Sequence, residues 1–290
     1  MANVWRATDR FVEVCARRAS VLAMADAAEL RDRFARLHES GIFIMPNAWD
    51  IGSALVLQSL GFEAIATTSS GFAASLGRHD QHVSLGELGV HVAELRDAID
   101  IPLSVDAEAG YAVESEGLPR TIGVLAGAGA AGVSIEDYMP DGGLLGAEEA
   151  TDRVGRFVAA AREEGMTVTA RAENHLYEVD DLDDTISRLR AYARAGADVL
   201  YAPGLDDLDE IQRLVAEVER PVNVLLVPGG PSVDELGDVG VRRVSTGGAL
   251  TFAAYGALAE AARELLDSGT SEYAAGNLSW PDRDAAFGAD

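Results

Sequence analysis

The chain of 290 residues carries 48 acids against 23 bases, a net charge of −25, and every one of those bases is arginine. A surface of that sign repels nucleic acid and anionic membranes, and a chain without lysine has neither Schiff-base chemistry nor a lysine general acid. With 48% apolar residues, no apolar run near about 18 residues, no secretory h-region and one cysteine, Cys15, the composition fits a full core in a reducing, cytoplasmic setting, with no transmembrane helix and no intrachain disulfide.

Residues 1–40 read as a helical extension, with Phe11, Val14 and Cys15, then Ala25 to Leu37, at helical spacing. From residue 41 a strand–helix alternation begins. Eight apolar strands are expected at 42–47, 64–68, 102–106, 132–136, 167–171, 198–202, 221–226 and 241–245. Amphipathic segments fall at 51–60, 85–99, 118–128, 148–164, 182–195, 208–218, 233–236 and 251–266. Gly61, Gly129, Gly196 and Gly240 sit where a helix ends and a strand begins, as helix C-caps do. Eight such units with short returns predict a (β/α)8 TIM barrel over 41–267. The acidic, weakly patterned stretch 268–290 is expected to be a tail, crossing to a partner subunit or partly unordered.

In such a barrel the site lies at the carboxyl ends of the strands. Along that edge stand Asp106 and Glu108 after the third strand and Glu136 and Asp137 after the fourth. Acids on neighbouring strands repel unless a cation or protons hold them. Hard oxygen donors with no histidine or cysteine nearby favour magnesium or manganese over zinc. The competing reading makes these acids caps of the following helices. Arg171 suits a clamp for a carboxylate or phosphonate, or else compensates Glu136 or Glu173. Ser69-Ser70-Gly71 offers hydroxyls and free backbone N–H groups to a carboxylate or an enolate oxygen. His175 reads equally as an acid–base group or a solvated loop histidine.

Together, Pro46-Asn47-Ala48-Trp49-Asp50, Ser70-Gly71, Gly77-Arg78-His79-Asp80, Asp106-Ala107-Glu108-Ala109-Gly110-Tyr111, Ile135-Glu136-Asp137 and Ala170-Arg171-Ala172-Glu173 resemble the isocitrate lyase and phosphoenolpyruvate mutase superfamily, from about Pro46 to Leu258. The resemblance implies that Asp106 is a direct magnesium ligand and that Asp80, Glu108 and Glu136 are ligands through water. It implies that Ser70 and Gly71 hold the 2-oxo-carboxylate end of a small anionic substrate, and that Arg171, helped by Asn223, grips a second anionic group. It further implies a pyruvate-type enolate held on the metal, and a homotetramer, or a dimer, whose last helix swaps between neighbours.

The departures are as telling. Members acting on isocitrate or methylisocitrate carry a Lys-Arg/Lys-Cys-Gly-His run on the loop after the fourth strand. Here that loop is Tyr138-Met139-Pro140-Asp141-Gly142-Gly143-Leu144-Leu145-Gly146, without cysteine, lysine or histidine. This argues against both activities. The Lys with Asn-Ser of the phosphonate enzymes is missing too. The glycines still suit a closing lid, and Tyr138, Tyr201 and His175 are the candidates for its acid–base group, Tyr138 being read with Arg171 and Ser70 as catalytic. Three functions stay open: a Mg2+-dependent lyase or hydrolase cutting a C–C bond in a 2-oxo or 2-hydroxy acid, a C–P enzyme of the mutase or phosphonopyruvate hydrolase type, and a barrel that binds a small acid without turnover.

Overall fold

The computed structural model describes residues 21–288; Phe11, Val14 and Cys15 lie outside the described residues. The chain begins with α1 (Val21–Leu37) and continues as β1 (Phe43–Met45), β2 (Asn47–Ala48), α2 (Ile51–Ser59), β3 (Ile65–Thr67), α3 (Ser69–Ser75), α4 (Leu85–Ala98) and β4 (Leu103–Asp106). Next come α5 (Leu118–Gly127), β5 (Gly132–Glu136), the short strands β6 (Tyr138–Met139) and β7 (Gly143–Leu144), α6 (Ala147–Glu163) and β8 (Thr167–Arg171). The chain closes with α7 (Leu182–Arg194), β9 (Val199–Tyr201), α8 (Leu208–Glu217), β10 (Val222–Leu225), α9 (Val233–Asp238), β11 (Arg243–Ser245), α10 (Ala249–Asp267) and α11 (Trp280–Phe287).

The main sheet runs β1-β11-β10-β9-β8-β5-β4-β3-β2, parallel throughout. β1 and β2 are one strand interrupted at Pro46, which has no N–H to give a ladder. β1 pairs with β11 on one side and β2 with β3 on the other, while the Pro46 carbonyl accepts from Ala66 N at 2.9 Å. That interrupted strand closes the ring, so the nine segments are the eight strands of a (β/α)8 barrel.

Side-chain alternation sorts each strand into two faces. In β4, Leu103 and Val105 pack into the helix-covered core, while Ser104 and Asp106 face the barrel interior. In β5, Val133 and Ile135 pack outward and Ser134 faces inward; in β8, Val168 and Ala170 pack outward while Thr169 and Arg171 face inward. Register then places Asp106 beside Ser134 and Glu136 beside Arg171. The outward layer holds the barrel together: Ile135 is 1% exposed, and truncating such a residue to alanine costs about 2–5 kcal/mol.

Two features differ from the expectations. The Ser69–Ser75 stretch is a helix, started by Thr68, whose side chain caps the Gly71 N–H. The loop after β5 is a hairpin, β6 pairing antiparallel with β7. The tail is ordered through residue 288: Ser279 caps α11, which packs against α2 of its own chain. The described part of the N-terminal extension is also integral to the barrel. Phe34 is fully buried with Phe43, Met45, Ala64 and Ala131 at the strand starts, and a Cβ at Gly132 would collide with its ring. Among the described residues no helix is long and apolar enough to cross a membrane.

Candidate active site

At the carboxyl ends of the strands a cavity of about 270 Å³ descends into the barrel. Asp80, Asp106 and Arg171 stand on its wall near Ser69 and Ser70; Ser104, Ser134, Thr169, Asn223 and Ser245 continue it downward. A small polar ligand fits this space better than an extended one.

Arg171 is the centre of the charged group. Its Nε donates to Glu173 Oε1 at 2.8 Å and its Nη1 to Asp106 Oδ1 at 3.0 Å; its Nη2 lies 3.3 Å from Glu136 Oε2. Burial alone would lower the guanidinium pKa, but Glu173, Asp106 and Glu136 outweigh it and hold it well above its ordinary value. Each nitrogen of Arg171 thus faces an acid, and the side chain compensates the charge of the cluster. Asp106 also approaches the Ser69 N–H (3.4 Å) and the Ser134 hydroxyl (3.4 Å).

Glu108 follows in a left-handed conformation, φ +47°, as does Tyr111 at +54°. Such a backbone costs a non-glycine residue about 1–2 kcal/mol and persists where its surroundings impose it. Arg153 imposes it, donating to the carbonyls of Ala109, Ala112 and Val113. The Tyr111 hydroxyl donates to Glu108 Oε1 at 2.7 Å. Burial pushes the Glu108 carboxyl up to about 7 with help from the charges of Asp106 and Asp80, although the Tyr111 hydrogen bond works against the rise. Burial and Asp106 likewise raise Asp80; burial, with Glu173 and Asp106, raises Glu136 well above the usual carboxylate range despite Arg171. Gln81, itself at φ +63°, donates its side-chain amide to Glu136 Oε1 at 3.3 Å.

The four expected metal acids are thus brought into one electrostatic group. Yet no three His, Cys, Asp or Glu side chains among the described residues already stand in a ligand arrangement, because the guanidinium of Arg171 occupies their middle. The donor set nevertheless fits a hard divalent cation. Asp80, Asp106, Glu108, Glu136 and Glu173 gather round one arginine, and burial, with the charges of neighbouring acids, raises the carboxyls of Asp80, Glu108, Glu136 and Glu173.

The remaining expected residues divide. Ser70 and Asn223 lie on the cavity wall, Ser70 within 3.2 Å of the Thr68 hydroxyl and Asn223 donating to Ser245 Oγ at 2.9 Å. Gly71 lies behind the wall, and its N–H is taken by Thr68 at 3.3 Å, so it is not the free donor expected. It is glycine for want of room: a Cβ would strike Thr251 and Thr68. Tyr138 stacks face to face on Tyr177, centroids 3.6 Å apart, away from the cavity wall. Tyr201 is on the wall beneath Arg171, and burial pushes its phenol up to about 12, keeping it protonated. His175 stands off the wall with its Nδ1 3.5 Å from Asp180. Sequence reading missed the polar interior rungs Ser104, Ser134 and Thr169, and it missed Arg243 on the same wall. The signal of the three rungs was the small polar residue at every second position of an apolar strand.

The chain was compared with known proteins. Residues 34–266 match the family model of phosphoenolpyruvate phosphomutase. A crystal structure of a candidate lyase/mutase from Burkholderia cenocepacia J2315 superposes with a TM-score of 0.87 at 43% identity, covering 91% of this chain and 98% of that one. An uncharacterised protein of Mycobacterium tuberculosis H37Rv is 36% identical over 240 residues, 81% of this chain and 89% of its own length. The 2-methylisocitrate lyase of Escherichia coli K12 is 31% identical over 179 residues, 58% of this chain and 60% of its own. With a barrel of this topology, the acid group at its strand ends and a family match over most of its length, the chain belongs to the phosphoenolpyruvate mutase family of the isocitrate lyase/phosphoenolpyruvate mutase superfamily.

Proposed function

We propose that the protein is a Mg2+-dependent lyase or hydrolase that cuts a C–C bond in a small 2-oxo or 2-hydroxy carboxylic acid, releasing a pyruvate-type product. The observation that carries this is the inward row of Asp106, Glu136 and Arg171, in register at the strand ends above a small polar cavity. Asp106, with Glu108, Glu136 and Asp80, would hold the metal, manganese serving as well as magnesium. Bound there, the cation would polarise the substrate's oxygens.

The chain's own groups supply the rest. The Ser70 hydroxyl, at the start of α3 and on the cavity wall, orients a carboxylate at the mouth; an aligned donor of this kind is worth about 3–4 kcal/mol in a transition state. Arg171 neutralises charge that develops beside Asp106. Tyr201 keeps its proton at neutral pH and offers it to the cavity. The hairpin β6–β7, which follows Glu136 and Asp137, carries Tyr138 stacked on Tyr177. The lack of cysteine on it argues against isocitrate and methylisocitrate as substrates.

The C–P reading has the family model in its favour. It is weakened by the lack of lysine, since a developing phosphoryl charge needs cations. A panel of 2-oxo, 2-hydroxy and phosphono acids with Mg2+, read by coupled pyruvate detection and by phosphate release, tests the proposal. Pyruvate from a carbon acid supports it. Phosphate from phosphonopyruvate transfers the assignment to the C–P reading, and metal-dependent binding with no turnover of any acid leaves a binding barrel. A homotetramer, or a dimer, in the cytoplasm goes with this reading, because Phe252, Leu258, Leu266 and Trp280 expose apolar side chains on α10 and α11. Light scattering on the purified chain reads that state.

A further inference from the structure

The stretch 107–113 after β4 carries Glu108 and belongs to no helix or strand. Its backbone is left-handed at Glu108 (φ +47°), Gly110 (+89°) and Tyr111 (+54°). Gly110 meets that demand without cost, and a Cβ there would strike Leu118. Glu108 and Tyr111 hold it against their own preference. Strain of this kind lasts only where the surroundings over-determine it, and it gathers at working sites. The stretch is tied inward to the next strand. The Ala107 N–H donates to the Ser134 carbonyl at 3.3 Å, and the Glu108 carbonyl accepts from the Glu136 N–H at 3.0 Å, so the backbones of two expected metal acids are joined.

Outward, the carbonyls of Ala109, Gly110, Ala112 and Val113 have left the sheet and need donors. Side chains of two helices supply them. Arg153 Nη2 donates to Ala109 and Ala112, each at 2.7 Å, and its Nη1 to Val113 at 2.9 Å; Thr121 Oγ1 donates to Gly110 at 2.6 Å. Arg153 is 4% exposed on α6, beside the buried Ala150, Val154 and Phe157, and Thr121 is 1% exposed on α5. Neither side chain is on the cavity wall. One planar fork across 109–113 fixes the three carbonyls relative to each other, which a lysine's single ammonium would not do. Released, the stretch would gain twice. Glu108 and Tyr111 would return to ordinary backbone, and Glu108 would escape the charges of Asp106 and Asp80 that now oppose its ionisation.

We infer that Arg153, seconded by Thr121, is a positioning residue for the metal: from the helical layer it holds 107–113 in the form that keeps Glu108 among the other acids, and so sets the affinity of the site for Mg2+ without touching it. The identity of the ion rests on the proposed function above. The clamp puts the ordering of this ligand into folding rather than into binding, so the cation meets an acid already in place.

The test titrates Mn2+ into the full-length chain, reads the free ion by electron paramagnetic resonance, and displaces it with Mg2+. Arg153→Met keeps an apolar stem and removes the fork; it is expected to weaken both ions at least about 10-fold, as the loss of a group supporting a metal ligand does. Thr121→Val keeps the shape and removes one hydrogen bond; it is expected to weaken them about 3- to 5-fold, and it carries the test if Arg153→Met does not fold. Phe34→Leu, at the strand starts on the opposite end of the barrel, is the control for lost stability: it is expected to lower Tm and leave both affinities within about 2-fold. Affinity unchanged in Arg153→Met or, where that variant does not fold, in Thr121→Val overturns the inference and leaves Arg153 a residue of the fold alone, with the proposed function standing. Equal weakening in Phe34→Leu overturns it in the same way. A parent that binds neither Mn2+ nor Mg2+ overturns the proposed function and the inference together.

Discussion

Glu136 and Asp137 are consecutive residues, both buried and both paired with an arginine, yet they serve opposite faces of one strand end. Glu136 turns inward, where Arg171 is shared among several acids and its own carboxyl is held well above the usual range. Asp137 turns outward into the layer between barrel and helices. It accepts from Arg188 Nη1 at 3.1 Å, Tyr192 Oη at 2.6 Å and Glu173 N at 2.8 Å. Burial raises its pKa too, but three donors oppose the rise. The inward acid has more negative neighbours than donors, and the outward one has as many donors as it needs. The first arrangement calls for a ligand; the second is complete and works as a brace.

Substitution on each side should separate these roles. The largest effect is expected at Asp106→Ala, which removes the acid at the centre of the inward group: turnover should fall by at least about 10³-fold, with metal binding lost and the circular dichroism spectrum unchanged. Retained activity would contradict the inward reading. Asp137→Ala should act on the fold instead, leaving Arg188 buried without its counter-charge at a cost of about 3–5 kcal/mol, a drop of roughly 10 °C in Tm by calorimetry.

A third experiment uses pH. Glu108 has a folded pKa near 7, above its unfolded value of about 4.3. Between those values the folded chain holds the extra proton, so its contribution to stability is full below about 4.3 and is lost as pH rises towards 7. His38 and His91, both lowered by burial, tilt the curve the other way below about 6.5. The difference in Tm between the parent and Glu108→Gln, followed without metal from pH 5 to 8, therefore isolates the Glu108 slope. Added Mg2+ should flatten that difference. The smallest effect is expected at Tyr138→Phe, which keeps the stack on Tyr177: kcat within about 2-fold of the parent. A loss beyond about 100-fold would return Tyr138 to the chemistry.

The barrel was legible because each unit repeats the same physical pattern, an apolar run ended by acids or a glycine. Asp106, Glu108 and Glu136 were legible because acids at the end of a buried run have few structural uses. Other features depend on partners far along the chain. Nothing near Arg243 marks it as interior, since Arg242-Arg243 reads as a surface pair; its direction is set by pairing with Phe43, 200 residues away in the register of closure. The helix Ser69–Ser75 opens with Ser-Ser-Gly, which reads as a turn, and forms because Thr68 caps it and Phe72 and Ala73 bury beneath it. The role of Asp137 needed Tyr192 on α7, which only the fold brings near.

The hairpin β6–β7 is pinned at its base rather than along its length. The Leu145 N–H donates to the Asp137 carbonyl at 2.8 Å, and Arg188 holds the Leu145 carbonyl at 2.7 Å while gripping Asp137. Residues 139–143 hang between those anchors with little of the barrel's stability invested in them. Such a tip is a replaceable cassette: it can be rewritten by mutation, or grafted from a relative, while the scaffold beneath stays folded. That arrangement lets a lineage exchange the reactive residues of its lid without first having to survive an unfolded intermediate.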